Sequence, residues 1–134
     1  MIVLDRDVVA KLSASNQSVI QHLEQYSGEE WTISALVAWE TYTAQFSYPD
    51  MQQTQRHLQE AFDRILDFTD DIALQAAHLD ERFQTQGVSL DTVDLLHLAT
   101  ADVEGGSFVT HNERDFDKKP IHDLVDVDVV YTTD

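Results

Sequence analysis

Short apolar runs alternate with longer amphipathic segments along this 134-residue chain. The runs at 2–4, 31–33 and 108–109 are too short for helices and predict buried strands, and 127–131 predicts a last one. Between the runs, apolar residues recur every three or four positions, which indicates helices with one buried face. This alternation favours an α/β fold with a central parallel sheet of about four or five short strands flanked by helices.

Polar residues that commonly cap helices predict where the first helices begin. A short helix is expected over 7–14, and Asn16 is expected to cap the next one. Ser34 is expected to cap a helix over 35 to about 46. The apolar residues of the helix after Asn16 follow helical spacing: Val19, Ile20 and Leu23.

Two further helices are predicted in the middle of the chain. Pro49 and Asp50 open the first, and a strand is predicted after it, over 67–69. Asp70 or Asp71 is expected to cap the second helix, which ends near residue 87. The buried face of the first helix is predicted to comprise four residues: Leu58, Phe62, Ile65 and Leu66.

A last long helix is predicted to start after Asp91. That residue is expected to cap it and to place Asp94 at its third position. Gly105 and Gly106 are expected to end it, and residues 111–119 read as a loop before the final strand.

The composition is that of one globular domain spanning residues 1–134. A hydrophobic content of 43% and this length suffice for a real core. No apolar stretch approaches 20 residues and the N-terminus lacks the features of a signal peptide, so neither a membrane span nor secretion is expected. The absence of cysteine excludes disulfides and thiolate metal sites, and it suits a cytoplasmic protein.

The charge is strongly negative, at −17. There are 17 Asp and 8 Glu against 3 Lys and 5 Arg, a balance typical of a halophile's surface, where dense carboxylates keep a protein hydrated in concentrated salt. The alternative is an acidic face that binds a partner. Nucleic-acid-binding proteins are usually basic, but at molar salt the Debye length is only about 3 Å, so the acidity weakens a nucleic-acid hypothesis without removing it.

Four acidic residues stand beside apolar runs. Asp5 ends the first predicted strand, and Glu40 interrupts an apolar helix. Asp94 lies within another apolar helix, and Asp115 follows the strand at 108–109. A carboxylate beside a core is costly unless something compensates it. A shared Mg²⁺ or Mn²⁺ would do so, and such ions also act on phosphates.

Each acid taken alone has a second interpretation. Asp5 is a possible helix cap, Glu40 a solvated helix position, and Asp94 a partner of its helix dipole. Asp115 alone is typical of a loop acid. Taken together they are more informative, since binding sites in open parallel sheets gather beyond the carboxyl ends of the strands.

Their order along the chain resembles that of the PIN-domain family, and within it the small VapC-type toxin ribonucleases. The resemblance extends over essentially the whole chain. The last two of its segments are the most specific. The four are 2–5 (Ile-Val-Leu-Asp), 34–40 (Ser-Ala-Leu-Val-Ala-Trp-Glu), 93–101 (Val-Asp-Leu-Leu-His-Leu-Ala-Thr-Ala) and 108–116 (Phe-Val-Thr-His-Asn-Glu-Arg-Asp-Phe).

This resemblance implies a Rossmann-like α/β/α sandwich that cleaves RNA with one or two Mg²⁺ or Mn²⁺ ions. It also implies a homodimer and a small antitoxin protein as partners. By the same resemblance, Thr110 and Asn112 would support the site through hydrogen bonds. The catalytic, metal-binding acids would be Asp5, Glu40, Asp94 and Asp115.

The chain departs from the family pattern at three points. Arg6 and Asp7 follow Asp5, where the family more often has a small polar residue and then Asn or Ser. Asn112 occupies a position that is acidic in some relatives, so Asn112 and Asp115 are alternatives for the fourth site residue. Basic residues that hold RNA are few, and those near the proposed site are Arg6, Arg114, Lys118 and Lys119.

Three other functions compete with a toxin ribonuclease. A HAD-type phosphatase would use Asp5 as nucleophile and Asp7 as general acid, but the chain is short for that fold and leaves Glu40 and Asp94 without a role. A PIN-like binding module would have lost its chemistry, and a housekeeping RNA-processing nuclease would have no antitoxin. The six histidines lack zinc-like spacing, and the pair Asp94 and His97 is interpreted as incidental.

Overall fold

The structure is a computed structural model that describes residues 1–132, and its centre is a five-stranded parallel sheet in the order β3-β2-β1-β4-β5. This confirms the predicted α/β fold. The strands are β1 Ile2–Leu4, β2 Trp31–Ser34, β3 Arg64–Leu66, β4 Ser107–Thr110 and β5 Val127–Val129.

Helices cover both faces of the sheet, and in the part of the chain that is described there are eight, with one 3-10 turn at Glu24–Tyr26. None of them is long and apolar enough to cross a membrane. The helices are α1 Arg6–Ser13, α2 Gln17–Leu23, α3 Ala35–Thr43, α4 Tyr48–Ala61, α5 Asp70–Thr85, α6 Thr92–Glu104, α7 Glu113–Phe116 and α8 Lys119–Leu124.

The side chains of the central strands alternate between two hydrophobic cores. Ile2, Leu4 and Val109 pack with residues of α1 to α4 on one face of the sheet. Val3 and Phe108 pack with residues of α5 to α8 on the other face. All five are at most 1% exposed, as expected for strands covered on both sides.

Several helix ends follow from local chemistry, as predicted. The Asn16 side chain accepts a hydrogen bond from the Val19 amide at 3.1 Å, and the Ser34 hydroxyl accepts one from the Val37 amide at 3.0 Å. At the other end of a helix, Gly105 has φ 74°, a left-handed conformation that closes α6 at little cost.

The prediction was wrong between α4 and α5. Helix α4 ends at Ala61, so Ile65 and Leu66 lie in β3 rather than on the helix, and β3 precedes the strand predicted over 67–69. Apolar positions at these intervals fit either element. Pairing with β2 decides between them. Just before β3 begins, the Asp63 carboxylate accepts a hydrogen bond from the Trp31 amide, and the Asp63 amide donates to the Trp31 carbonyl.

Other boundaries were wrong by smaller margins. Thr69 rather than Asp70 or Asp71 caps α5, accepting from the Ile72 amide at 3.2 Å, because both acids already lie in the first turn. The region 111–119, predicted as a loop, contains α7 and the first residue of α8. Helix α3 and strand β5 end three and two residues before the predicted ends at 46 and 131.

The core of the α5 and α6 layer gives a stability test. Phe83 is 1% exposed, and its replacement by Ala should lower the free energy of unfolding by about 3–5 kcal/mol through lost burial and a cavity. The matched control is Phe46→Ala, because Phe46 is fully exposed and its loss should change stability by less than about 0.5 kcal/mol. Urea unfolding at one fixed KCl concentration measures both, and equal losses would contradict the packing described.

Candidate metal centre

The pairing of β1 with β4 builds the centre of the site. Leu4 is the partner of Val109, and the Asp5 amide donates to the Val109 carbonyl at 2.9 Å, so Asp5 and Thr110 leave the sheet side by side. The chain passes from β1 through β2 to β3 on one side of β1 and then to β4 on its other side. The site therefore lies at the point where the strand order reverses, beyond the carboxyl ends of the strands.

A continuous set of hydrogen bonds joins Asp5 to Asp115. Thr110, which is fully buried, donates through Oγ1 to Asp5 Oδ2 at 2.7 Å. The same hydroxyl accepts from the Asn112 amide at 3.1 Å. Asn112 Nδ2 donates to Asp115 Oδ2 at 2.9 Å, and its Oδ1 accepts from the Asp115 amide at 3.2 Å as the cap of α7. Four side chains are thus held at one edge.

Asp5 also caps the helix that follows it. Its Oδ1 accepts from the Arg6 amide at 2.8 Å, while Oδ2 accepts from Thr110. The cap and the proposed site residue are therefore the same side chain in two roles. The side chain is only 7% exposed, and both of its oxygens have hydrogen-bond partners, so its orientation is fixed.

Glu40 reaches the site from the opposite helical layer. It lies on α3, whose buried residues pack with Ile2 and Leu4, whereas α6 packs on the other face. Across the sheet edge, Glu40 Oε1 lies 2.8 Å from Nε2 of His97 on α6. The two layers therefore meet at the carboxylates of the site.

His97 is the residue that sequence reasoning missed. One ligand atom each from Asp5, Glu40 and His97 lie within 4.8 Å of one another. The signal was present in the i, i+3 spacing from Asp94, but the side chain could be read equally well as core. Its ring is 1% exposed and lies against Phe108, with centroids 6.2 Å apart.

Asp94 borders this group of three without joining it. It is half-buried, and burial together with the negative charges of Asp5 and Asp115 raises the pKa of Asp94 to about 6. Burial also raises the pKa of Asp5, an effect that the hydrogen bond from Thr110 opposes. In both residues the electrostatic influence of His97 acts in the opposite direction and lowers the pKa.

The donor set fits a hard divalent cation. Carboxylate oxygens of Glu40 on α3 and of Asp5 after β1 lie within 4.8 Å of one another, and Asp94 at the start of α6 is close enough for the charge of Asp5 to raise its pKa. Oxygen is the donor that Mg²⁺ and Mn²⁺ prefer. Burial raises the pKa of both Asp5 and Asp94 because it penalises the ionised carboxylates, and a cation would offset that cost. Asp5, Glu40 and Asp94, with Asp115 behind them, are the residues able to hold such an ion.

A cavity of about 330 Å³ opens beside Glu40, between α1, α3 and α4. Its wall combines apolar side chains such as Val9 and Leu58 with polar ones such as Arg6 and His57. A site next to the acids can therefore receive a group that is partly apolar and partly polar.

Comparison with known proteins places the chain among related folds. The family model described as PIN domain matches residues 2–121. A toxin–antitoxin complex from Klebsiella pneumoniae is 24% identical, with TM-score 0.75 and 98% of each chain covered. Comparison with curated proteins gives no match.

Two further solved structures share the fold. VapBC2 from Rickettsia felis, bound to a DNA fragment from the promoter, is 21% identical with TM-score 0.75, covering 96% of this chain and 98% of that one. FitAB bound to an IR36 DNA fragment is 20% identical with TM-score 0.79, covering 100% and 98%. At these identities the likeness concerns the fold.

Repulsion in the site gives a pH-dependent prediction for the metal-free protein. With a folded pKa near 6 against an ordinary 3.8, Asp94 binds its proton more tightly when folded, so stability falls as pH rises through this interval. Asp94→Asn removes that loss. We expect it to stabilise the protein by about 1 kcal/mol at pH 8, since the full shift of about 3 kcal/mol is reduced by solvent exposure, and to have little effect at pH 4.

The matched control is Asp71→Asn, an exposed acid in the first turn of α5. Removing such a charge normally weakens the helix slightly, so this variant should stabilise the protein at neither pH. Urea unfolding in EDTA at both pH values measures the effect. Destabilisation by Asp94→Asn at pH 8 would contradict the repulsion.

Proposed function

The chain belongs to the PIN-domain family, a family of nucleases, and on that premise we propose that it is a Mg²⁺- or Mn²⁺-dependent endoribonuclease acting in the cytoplasm as the toxin of a type II toxin–antitoxin pair. The observation that carries the proposal is the convergence of acids from three separate parts of the chain. Ligand atoms of Asp5 and Glu40 lie within 4.8 Å of one another at the sheet edge, and Asp94 borders them. Burial raises the pKa of Asp5, and burial together with the charges of Asp5 and Asp115 raises the pKa of Asp94.

The acids have the chemistry that phosphodiester hydrolysis requires. Asp5, Glu40 and Asp94 would hold one or two ions, with Asp115 as a fourth carboxylate. A bound divalent ion supplies activation of water and stabilisation of charge on the phosphate oxygens. With water as the nucleophile, the reaction needs no covalent intermediate on the protein.

The remaining residues of the site orient these acids. Thr110 and Asn112 hold Asp5 and Asp115 through the hydrogen bonds given above. Fixed carboxylates avoid reorganisation during the reaction, which is how positioning lowers a barrier. Basic side chains around the edge would contact flanking phosphates of the RNA, namely Arg6, Arg114, Lys118 and Lys119.

The proposed partners follow from the structures that share this fold. Those structures include a toxin–antitoxin complex and VapBC2. We infer that a small antitoxin inserts its C-terminal segment into the acidic cleft, with an Arg or Lys against the carboxylates. A homodimer is the second proposed assembly. Exposed Trp39, Phe46 and Tyr48 supply apolar surface for protein contacts near α3 and α4.

Two alternatives lead to different results with the same protein. A housekeeping nuclease would cleave RNA but bind no antitoxin, and a PIN-like binding module would bind RNA without cleaving it. A phosphatase of the HAD type receives little support, because Asp7 lies on α1 in an exposed ion pair with Arg6 at 3.3 Å.

The first test is cleavage of single-stranded and structured RNA by the free protein in high KCl. Cleavage should require Mg²⁺ or Mn²⁺ and stop on addition of EDTA. Asp94→Asn should reduce the rate at least about 100-fold, since even residues that only support metal ligands cost 10–100-fold. Gel analysis of end-labelled RNA measures the rate.

The control for this loss is again Asp71→Asn, which should cleave at the wild-type rate because its carboxylate is exposed on α5. Undiminished cleavage by Asp94→Asn would refute the assignment of the acids. Tight RNA binding without metal-dependent cleavage would favour the binding module.

The antitoxin proposal has a separate test. A small protein encoded beside this chain should co-purify with it and suppress cleavage. Replacing the basic residue in the partner's C-terminal segment by Ala should restore cleavage without abolishing the complex. The substitution removes the positive charge that lies against the carboxylates, while the apolar contact remains. A complex that cleaves RNA at the full rate would contradict inhibition at the acids.

A further inference from the structure

We propose that His97 is a positioning residue that carries its proton on Nε2, donates it in a hydrogen bond to Glu40, and does not itself ligate the cation. The inference rests on the proposed function only in treating the acid cluster as a cation site. It concerns a residue whose buried, nitrogen-containing side chain the oxygen-based mechanism leaves unexplained.

The ring of His97 is held tightly. The side chain is 1% exposed, its Nε2 lies 2.8 Å from Glu40 Oε1, and it stacks against Phe108 with an interplanar angle of 20°. Phe108 is fully buried in β4 and packs edge-on against Phe116. Phe108 in the sheet therefore contacts the His97 ring, which in turn contacts the Glu40 carboxylate.

The environment of the second nitrogen decides the tautomer. Nδ1 of His97 is buried and has no hydrogen-bond partner among residues 1–132. A proton on Nδ1 would be a buried donor without an acceptor, which costs about 1–3 kcal/mol. A proton on Nε2 instead points at a carboxylate and forms a charge-assisted bond. The arrangement therefore favours the Nε2–H form.

His97 is also unsuited as a ligand, although one of its ring nitrogens lies within 4.8 Å of ligand atoms of Asp5 and Glu40. Ligation through Nε2 would move the proton to Nδ1 and break the bond to Glu40. Histidines that ligate metals usually donate from their other nitrogen to an acceptor, and Nδ1 has none within the described chain.

The consequence falls on Glu40. Its side chain is about one quarter exposed and has three rotatable bonds, so a free carboxylate would sample several positions. The hydrogen bond engages Oε1 and leaves Oε2 available to a cation. Because α3 and α6 belong to opposite layers, this one contact also sets the distance between Glu40 and Asp94, which lies one turn before His97.

The tautomer is measured directly by long-range proton–nitrogen NMR of the ¹⁵N-labelled protein, with His97→Gln identifying the signal. We expect a protonated Nε2 and an unprotonated Nδ1, unchanged when Mg²⁺ is added. A proton on Nδ1, or an Nε2 that loses its proton on Mg²⁺ addition, would overturn the proposal.

Two substitutions separate positioning from ligation. Gln places an amide N–H near the position of Nε2, whereas Asn places it near Nδ1, out of reach of Glu40. Calorimetry with Mg²⁺ alone should give an affinity for His97→Gln within about threefold of wild type. For His97→Asn we expect a loss of about 10-fold, the lower range for residues that orient metal ligands.

A packing control is Leu98→Val, which trims a fully buried neighbour of His97 on α6 without touching Glu40. This variant should lower the melting temperature and leave Mg²⁺ affinity unchanged. A loss of Mg²⁺ affinity equal to that of His97→Asn would mean that His97 acts only through packing. Equal losses in His97→Gln and His97→Asn would likewise contradict positioning, even if the protein cleaves RNA. If Mg²⁺ affinity is kept in His97→Gln and lost in His97→Asn but the protein does not cleave RNA, the result would contradict the proposed function and leave the positioning role of His97 supported.

Discussion

The parallel pairing of β1 with β4 is the contact on which the rest of the site depends. It brings Asp5 beside Thr110, 105 residues further along the chain, and lets the buried hydroxyl hold the carboxylate at 2.7 Å. The strand order reverses at the same place, so side chains from the helices on both faces of the sheet can reach it. Without this register, Asp5 would only cap α1, and the Thr110, Asn112 and Asp115 hydrogen bonds would lie at an unrelated turn.

The acidic residues at the sheet edge that this pairing creates lower the stability of the folded protein. Asp5 and Asp94 both have a raised pKa, because burial and neighbouring carboxylates penalise their charged forms. Such strain is typical of sites shaped for a ligand rather than for folding, and a divalent cation would relieve it. The acidic surface has a different physical basis, since most of the acidic residues among 1–132 are exposed to solvent, which hydrates their charges.

Elements whose ends are set by local chemistry were predictable. The Asn16 and Ser34 caps and the left-handed Gly105 behave as their sequence positions indicate. The prediction failed where two elements share one apolar spacing. At Ile65 and Leu66 the spacing suits a helix or a strand, and only the partnership with β2 selects the strand. Thr69 was missed for a related reason, since three adjacent polar residues can each cap a helix.

The amino-acid sequence by itself determined the class of fold and the order of the acids, because strand and helix periods and caps are local properties. The tertiary structure decided which side chains meet. Glu40 and His97 lie 57 residues apart on opposite layers, and no local rule relates them. Whether a buried histidine is core or part of a site depends on what faces its two nitrogens, which only packing in three dimensions defines.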